Sequence, residues 1–221
     1  LEVPIKTVKR IGAHAQGCLC YTVSPVHTVE YYVEQFKKLE RMGCDSLCIK
    51  DMAGILSPQR AYDIIHACKE EGIKIPIDLH SHTTSGMAEL TYLKACEAGV
   101  DIIDCAISPI SGGTGQPPTE TIVAALQDTP YDPGYDMELL MKCREYFLKV
   151  WEKYRHLHVE EAMKVDSSVT SHQIPGGMLS NLVWQLKQFG AIDKFYDVLR
   201  EVENVRRDFG WPPLVTPTWQ I

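Results

Sequence analysis

The chain has 221 residues, of which 45% are hydrophobic and 23% are charged, and its formal net charge is −7. This composition is typical of a globular protein with a full core, in one domain or two. The negative charge argues against a nucleic-acid or anionic-membrane partner, and no apolar run is long enough to cross a bilayer.

The eight cysteines lie in apolar or helix-like runs and show no CxxC spacing. This placement indicates free thiols in a reducing compartment rather than disulfides or a zinc ribbon. The amino-terminal residues LEVPIKTVKRIG lack the layout of a secretory signal. We therefore expect a cytoplasmic protein without direct membrane insertion.

Short β-type runs alternate with helical patterns in the first half of the chain. Strands are predicted over residues 14–21, 44–50, 73–82 and 100–109, and helices over 29–42, 59–71 and 87–98, the first of them capped by Thr28. The repeat of roughly 30 residues is a βα unit. Four such units suit either a doubly wound sheet or part of a (β/α)₈ barrel.

The pattern changes after the segment SGGTGQPPTE. Helices are predicted over residues 119–126, 136–154, 178–190 and 193–209, with a long Ser/Thr/Gly-rich connection over 167–177. We interpret this second half as a helical region packed on the sheet.

Polar side chains stand at the carboxyl ends of the predicted strands, where βα proteins gather their reactive residues. His80 and His82 share one face of a strand, where they either bind one divalent metal or are buried and hydrogen-bonded to neighbours. Lys50 closes the apolar run LCI, and a buried ammonium group is costly unless it is paired or altered. Lys50 therefore pairs with Asp51 or Asp104, or is deprotonated, or is modified to a carbamate whose anionic oxygen would complement two imidazoles.

Other polar residues are weaker candidates. Ser180 in IPGGMLSNL is expected on the first turn of a helix, where capping is the most common role of a serine. Tyr21, Asp104, Cys105 and Ser108 end strands, and each either lines a pocket or has a structural role.

Five runs together resemble the carboxyltransferase domain of biotin-dependent enzymes: CIKDMAGILSP, IDLHSHTTSG, AGVDIIDCAISP, QIPGGMLSNL and PPLVTPTWQI. The similarity extends from about residue 10 to the last residue. The most similar members are the α subunit of the oxaloacetate decarboxylase sodium pump, the B subunit of two-subunit pyruvate carboxylases and the keto-acid subunit of transcarboxylase. The resemblance implies a (β/α)₈ barrel with a helical funnel at its carboxyl-terminal end.

The resemblance also implies a metal site and a proton relay. A divalent metal, usually zinc and sometimes manganese or cobalt, would be held by carbamylated Lys50, by His80 and His82, and by an aspartate of the first barrel strand. Ser180 would lie on the carboxybiotin side and shuttle a proton between biotin and pyruvate. Lys50 and Ser180 are thus the implied catalytic residues. Relatives on this barrel that act on acyl-CoA esters share the two histidines but have no lysine at position 50.

The resemblance implies only part of the domain. The predicted strands resemble strands five to eight, so residues 1–118 would form half of a barrel carrying the metal-site residues, and residues 119–221 the funnel. The first four strands, the metal-binding aspartate, an arginine that grips the keto-acid and a biotin-attachment segment have no counterpart in the sequence. Four strands of a barrel by themselves would leave two unpaired edges of the sheet and would expose the apolar face that points into the barrel. Expected partners are the amino-terminal half of the barrel, a separate biotin carrier domain or subunit, and further copies in a homo-oligomer.

The predicted activity is carboxyl transfer between biotin and pyruvate or oxaloacetate. Two alternatives remain open at this point. The chain is a non-catalytic assembly piece of such a complex, or it is part of a biotin-independent, metal-dependent lyase on the same barrel.

Overall fold

A computed structural model describes residues 1–157 and 163–215, apart from the side chain of Ser180. The sheet is parallel and contains four strands in the order β1-β2-β3-β4: β1 (Gln16–Cys20), β2 (Ser46–Asp51), β3 (Ile77–Ser81) and β4 (Ile102–Ile103). Each strand pairs with its neighbour in the sequence, so the order lacks the reversal that a doubly wound sheet requires. The α/β class with a parallel sheet is confirmed.

The helices follow the strands as predicted in the first half and dominate the second half. Within the described ranges they are α1 (Glu2–Arg10), α2 (Val29–Arg41), α3 (Pro58–Glu70), α4 (Ala88–Glu97), α5 (Thr119–Leu126), α6 (Met137–Tyr154), α7 (Val169–His172), α8 (Gly176–Gln188) and α9 (Phe195–Asp208). Short 3₁₀ turns lie at Ser108–Ile110, Arg155–Leu157 and Ile192–Lys194. The predicted cap of α2 is confirmed, because the backbone N–H of Tyr31 donates to Thr28 Oγ1 at 3.2 Å.

Two helices and two strands differ from the predictions. Helix α1 was not predicted, α7 lies inside the predicted connection over residues 167–177, and β3 begins at Ile77 instead of residue 73. The fourth strand is much shorter than residues 100–109, because the chain leaves β3 after Asp104. From there the N–H of Ala106 donates to the carbonyl of Pro117 at 3.0 Å, so the strand end pairs with a later loop.

The two faces of the sheet differ in chemistry. Leu47, Ile49, Ile77 and Leu79 are fully buried and belong to the core beneath the helices. Residues alternate between faces along a strand, so the opposite face carries Gln16, Cys18, Cys48, Lys50, Asp78 and His80. The prediction of an inward apolar face was therefore wrong: cysteines had made these strands look continuously apolar, although the inward positions are mostly polar.

The outer strands β1 and β4 each have one neighbour within the described part of the chain, which leaves the two sheet edges expected of this arrangement. All eight cysteines are free thiols. Over residues 1–157 and 163–215, no helix combines the length and apolar character needed to cross a membrane.

Candidate metal and carboxyl-transfer site

His80 and His82 meet at the carboxyl end of β3. His80 lies within the strand and His82 follows it, anchored by a hydrogen bond from its backbone N–H to the carbonyl of Asp51 at 3.1 Å. The Nε2 atoms of the two imidazoles are 3.3 Å apart. Because residues two apart in a strand lie on the same face, both rings point to the same place, as the spacing predicted.

The far side of each ring is held by an oxygen acceptor. His80 Nδ1 lies 2.8 Å from Asp104 Oδ2, and His82 Nδ1 donates to the carbonyl oxygen of Thr114. A carbonyl oxygen can only accept, and a carboxylate beside Nδ1 favours the same tautomer. Both Nε2 atoms therefore present lone pairs. Burial also holds the pKa of His82 below its usual range, which favours the neutral imidazole.

This geometry fits a divalent metal. Two nitrogens bound to one tetrahedral zinc ion at about 2.0–2.1 Å lie about 3.3 Å apart, and the two Nε2 atoms are separated by 3.3 Å. Metal-binding histidines usually donate their other N–H to a carboxylate or carbonyl, as both do here. Among the described residues, no group of three or more His, Cys, Asp and Glu side chains is arranged around a metal. A third ligand must therefore be of another kind or come from elsewhere.

Lys50 lies beside the imidazole pair. In the sheet it is the register partner of His80 on one side and of Cys20 on the other, so all three side chains share a face. Its charge acts on His82 and on the thiols of Cys18 and Cys20. Lys50 is half-buried and forms no ion pair with the part of the chain that the structure describes.

The two carboxylates that were considered as ion-pair partners of Lys50 are engaged elsewhere. Asp51 is fully buried and accepts from the N–H groups of Ile55 at 3.0 Å and Leu56 at 2.8 Å, and from the Ser81 hydroxyl at 2.9 Å. Asp104 bonds to His80. No ion pair joins Lys50 to either carboxylate, so the ion-pair interpretations of Lys50 are wrong, and the register places its side chain on the same face of the sheet as His80.

Two residues of the loop after β4 complete the surroundings of the histidines, and both were missed from the sequence. Thr114 provides the carbonyl that holds His82, and the amide nitrogen of Gln116 lies 3.2 Å from His80 Nε2 and 3.3 Å from His82 Nε2. The segment GGTGQPP marked only a change of pattern. Its position just after a strand end was the signal that could have identified these residues.

Helix α8 begins against this loop. A Cβ on Gly176, the first residue of α8, would overlap the Cγ2 methyl of Thr114. Ser180 is the fifth residue of the helix and Pro175 occupies the capping position, so the expectation of Ser180 as a cap on the first turn was wrong. The side chain of Ser180 lies outside what the structure describes. Its backbone lies about 6 Å along the helix axis from Gly176.

Three of the four candidates for lining a pocket have structural roles instead. Tyr21 is buried and stacks on Tyr32 with ring centroids 5.6 Å apart, and burial raises its pKa to about 12. Cys105 packs against the core, and burial raises its pKa to about 12 as well. The hydroxyl of Ser108 donates to Glu120 at 2.9 Å. Of the four, Asp104 alone contacts the imidazole pair.

The helical region is tied to the end of β1 by a polar cluster. The Gln173 side chain accepts from Thr22 Oγ1 at 3.0 Å and from the N–H of Val23 at 2.9 Å, and donates to the carbonyl of Val23 at 3.0 Å. Arg206 of α9 is buried and donates to Thr22 Oγ1 at 2.7 Å. These bonds fix the α7–α8 connection over the strand ends.

Two family models match the chain. The HMGL-like model matches residues 4–146, and the model of the conserved carboxylase domain matches residues 169–221. The chain is 59% identical to the B subunit of pyruvate carboxylase from Methanocaldococcus jannaschii, over 100% of this chain and 39% of the relative. It is 50% identical to the methylmalonyl-CoA carboxyltransferase 5S subunit of Propionibacterium freudenreichii subsp. shermanii, over 97% of this chain and 42% of the relative.

Solved structures give the same result. The carboxyl transferase domain of Rhizobium etli pyruvate carboxylase superimposes with a TM-score of 0.91 at 31% identity, covering 100% of this chain and 38% of that domain. The chain thus spans about two fifths of the length of its relatives. It belongs to the HMGL-like family, and the resemblance to carboxyltransferase domains that its motifs indicated is confirmed.

Proposed function

We propose that this chain supplies the metal-site half of a biotin-dependent carboxyltransferase that acts on pyruvate or oxaloacetate. The observation that carries the proposal is the convergence of the His80 and His82 Nε2 atoms at 3.3 Å, with Lys50 next to His80 in the sheet. A lysine at this place distinguishes the chain from acyl-CoA-condensing relatives. Residues 1–118 would form strands five to eight of a (β/α)₈ barrel, and residues 119–221 the funnel above it.

The proposed metal ligands are carbamylated Lys50, His80 and His82. The Lys50 ammonium would first lose one proton, and the neutral amine would then attack carbon dioxide and lose a second, which converts a cationic side chain into an anionic oxygen donor. The absence of an ion pair to Lys50 among the described residues supports this, because a half-buried ammonium without a partner carboxylate is costly. Two neutral imidazoles and one anionic oxygen suit zinc, and also manganese or cobalt.

Each residue then has a defined task. A bound divalent cation would supply Lewis-acid stabilisation of the negative charge that develops on the keto-acid oxygen. Asp104 and Thr114 hold the imidazoles in the tautomer that leaves Nε2 unprotonated, so the rings are already oriented as ligands. The Ser180 hydroxyl would pass a proton between the methyl carbon of pyruvate and biotin, for which it needs reach rather than a shifted pKa.

The contact between α8 and the histidine loop supports the assignment of Ser180. Gly176 packs on Thr114, and Thr114 bonds to His82, so the helix that carries Ser180 begins beside the proposed metal site. The relatives are more than twice as long as this chain. The remaining barrel strands, a biotin carrier and a homo-oligomeric assembly are therefore proposed partners in the full-length protein.

Metal content tests the ligand assignment. In the full-length protein, Lys50→Ala and His80→Ala should each lose the metal in elemental analysis, and His82→Ala should do the same. His66→Ala is the matched control, because His66 is exposed on helix α3, where it lies beside Glu70. Growth with ¹³C-bicarbonate should give a carbamate signal that is absent from Lys50→Ala. Full metal content in either Lys50→Ala or His80→Ala would remove that residue from the ligand set.

Activity tests the reaction. Ser180→Ala should lose carboxyl transfer between biotin and pyruvate while it keeps its metal. Avidin, which sequesters biotin, should stop the reaction of the wild-type enzyme. Turnover that avidin leaves unchanged would instead support the biotin-independent lyase.

A further inference from the structure

The side-chain amide of Gln116 lies where the Nε2 atoms of His80 and His82 converge. Its amide nitrogen is 3.2 Å from His80 Nε2 and 3.3 Å from His82 Nε2, and the two Nε2 atoms are themselves 3.3 Å apart. The three nitrogens therefore form a nearly equilateral triangle. None of the sequence patterns indicated a role for this glutamine.

Only one assignment of hydrogen-bond donors and acceptors is consistent for these three nitrogens. Both Nδ1 atoms donate, to Asp104 and to Thr114, so both Nε2 atoms are acceptors. Two lone pairs that face each other at 3.3 Å need a donor between them. The amide –NH₂ of Gln116 has two hydrogens and can give one to each ring.

The backbone fixes Gln116 in this place. The N–H of Gly112 donates to the carbonyl of Gln116 at 2.9 Å, which closes the loop on itself. On either side of Gln116, the carbonyl of Gly115 accepts from Thr83 at 2.8 Å and the carbonyl of Pro117 accepts from Ala106 at 3.0 Å. The loop is thus bonded to the ends of both neighbouring strands, which holds the Gln116 backbone beside the histidines.

We propose that Gln116 is a positioning residue that holds the place of the cation in the metal-free protein. Its amide bonds to both imidazoles, keeps their Nε2 atoms converged, and must release both when a metal binds. This inference rests on the proposed metal site at His80 and His82. It implies that Gln116 competes with the metal and is not one of its ligands.

Cobalt binding tests this role without any activity measurement. Full-length protein is freed of metal with a chelator and titrated with Co²⁺, whose visible absorption reports the ligand set. Because two hydrogen bonds no longer have to be broken, Gln116→Ala should bind Co²⁺ on the order of tenfold more tightly and with a higher association rate. Its absorption spectrum should match that of the wild type. Gln59→Ala, which removes an exposed amide on α3, should change neither property.

Each other outcome has a defined meaning. Weaker or unchanged Co²⁺ affinity in Gln116→Ala, or an altered spectrum, would overturn the place-holder role while leaving the histidine site intact. Gln116→Ser, with a side chain too short to reach the rings, should repeat the Ala result, and circular dichroism verifies that both variants fold. If wild-type protein takes up no Co²⁺, the metal site of the proposed function fails, and this inference fails with it.

Discussion

Gly176 of helix α8 packs directly against the Cγ2 methyl of Thr114, whose carbonyl oxygen accepts a hydrogen bond from His82 Nδ1. This contact links the helical region to the imidazole pair through a single residue. The absence of a side chain at position 176 is therefore a requirement of this contact.

We expect Gly176→Ala to disturb both packing and metal binding. The added methyl overlaps Thr114, so α8 or the loop must move, at a cost of about 1–3 kcal/mol in the free energy of unfolding. Urea denaturation measures this cost. Gly177→Ala is the matched control, because a Cβ there meets nothing within 4 Å, and alanine favours the helix.

A second substitution locates the strain. Thr114→Ser removes the Cγ2 methyl and leaves the backbone carbonyl that holds His82. The double variant Gly176→Ala/Thr114→Ser should therefore recover most of the lost stability. Equal stability of Gly176→Ala and Gly177→Ala would show that the contact does not constrain the helix.

The backbone of Gly54 also lies in close contact with His82. Its φ is +68°, and a Cβ there would lie 2.5 Å from the His82 carbonyl oxygen. Gly72 has a φ of +81° but meets nothing within 4 Å. Both alanine variants lose about 1 kcal/mol to the left-handed backbone. Gly54→Ala should lose a further 1–3 kcal/mol or so through the clash, measured by urea denaturation, and equal losses would contradict the steric explanation.

Much of the site was predictable because it depends on local rules. A two-residue spacing puts His80 and His82 on one face of a strand whatever surrounds it, and the parallel register then sets Lys50 beside His80. Thr114 and Gln116 reach the same point from a loop that has no periodicity. The position of this loop depends on hydrogen bonds to Thr83, which is distant in the sequence, and to Ala106, which follows β4.

The polarity of the inward sheet face was misjudged for a related reason. Cys18 and Cys48 count as apolar in a sequence pattern, yet they lie in register with Asp78 on the face away from the helices. The fourth strand was predicted too long because nothing local shows that Ala106 pairs with Pro117 instead of β3. The residue at which a strand ends therefore depends on tertiary pairing and not on the β-propensity of the local sequence.

We expect Asp104→Asn to weaken metal binding without abolishing it. The Asp104 carboxylate orients His80 through a charged acceptor, whereas an amide oxygen can accept the same hydrogen bond without the charge. Loss of such a partner typically lowers metal affinity about 10–100-fold, which a competition titration with a chelating dye measures. Asp63→Asn on helix α3 is the control, and an unchanged affinity of Asp104→Asn would contradict the role.

Asp78 should make stability depend on pH. Burial, and then the charge of Asp104, raise its pKa, and its Oδ1 has no hydrogen-bond partner in the described structure. Because the folded state holds this proton more tightly than the unfolded state, the stabilisation from protonation is present at low pH and is lost as pH rises through the folded-state pKa.

Asp78→Asn should remove this penalty. At pH 7 the variant should be more stable than the wild type, because burying a neutral amide costs less than burying a carboxylate, and the gain should shrink toward pH 4 or so, near the pKa of an unfolded aspartate. Urea denaturation at both pH values measures the difference. Asp193→Asn, at an exposed site, should show no such trend, and a pH-independent gain in Asp78→Asn would refute the ionic explanation.

Cys18 offers a reporter of the chemical state of Lys50. A hydrogen bond with the Cys48 thiol and then the positive charge of Lys50 lower the pKa of Cys18 below its usual range. In metal-free protein without carbon dioxide, Cys18 should therefore react with iodoacetamide with a midpoint at a lower pH than that of an ordinary thiol. Cys48→Ala removes the hydrogen bond and should move the midpoint upward.

Bicarbonate should shift the same midpoint if Lys50 becomes a carbamate. Modification replaces a positive charge near Cys18 by a negative one, which disfavours the thiolate and raises its pKa. Added bicarbonate should thus move the alkylation profile of Cys18 to higher pH in the wild type but leave Lys50→Ala unchanged. The reaction of Cys143, an exposed thiol on α6, calibrates the reagent in each buffer. A midpoint that does not respond to bicarbonate would contradict carbamate formation at Lys50 in the metal-free protein.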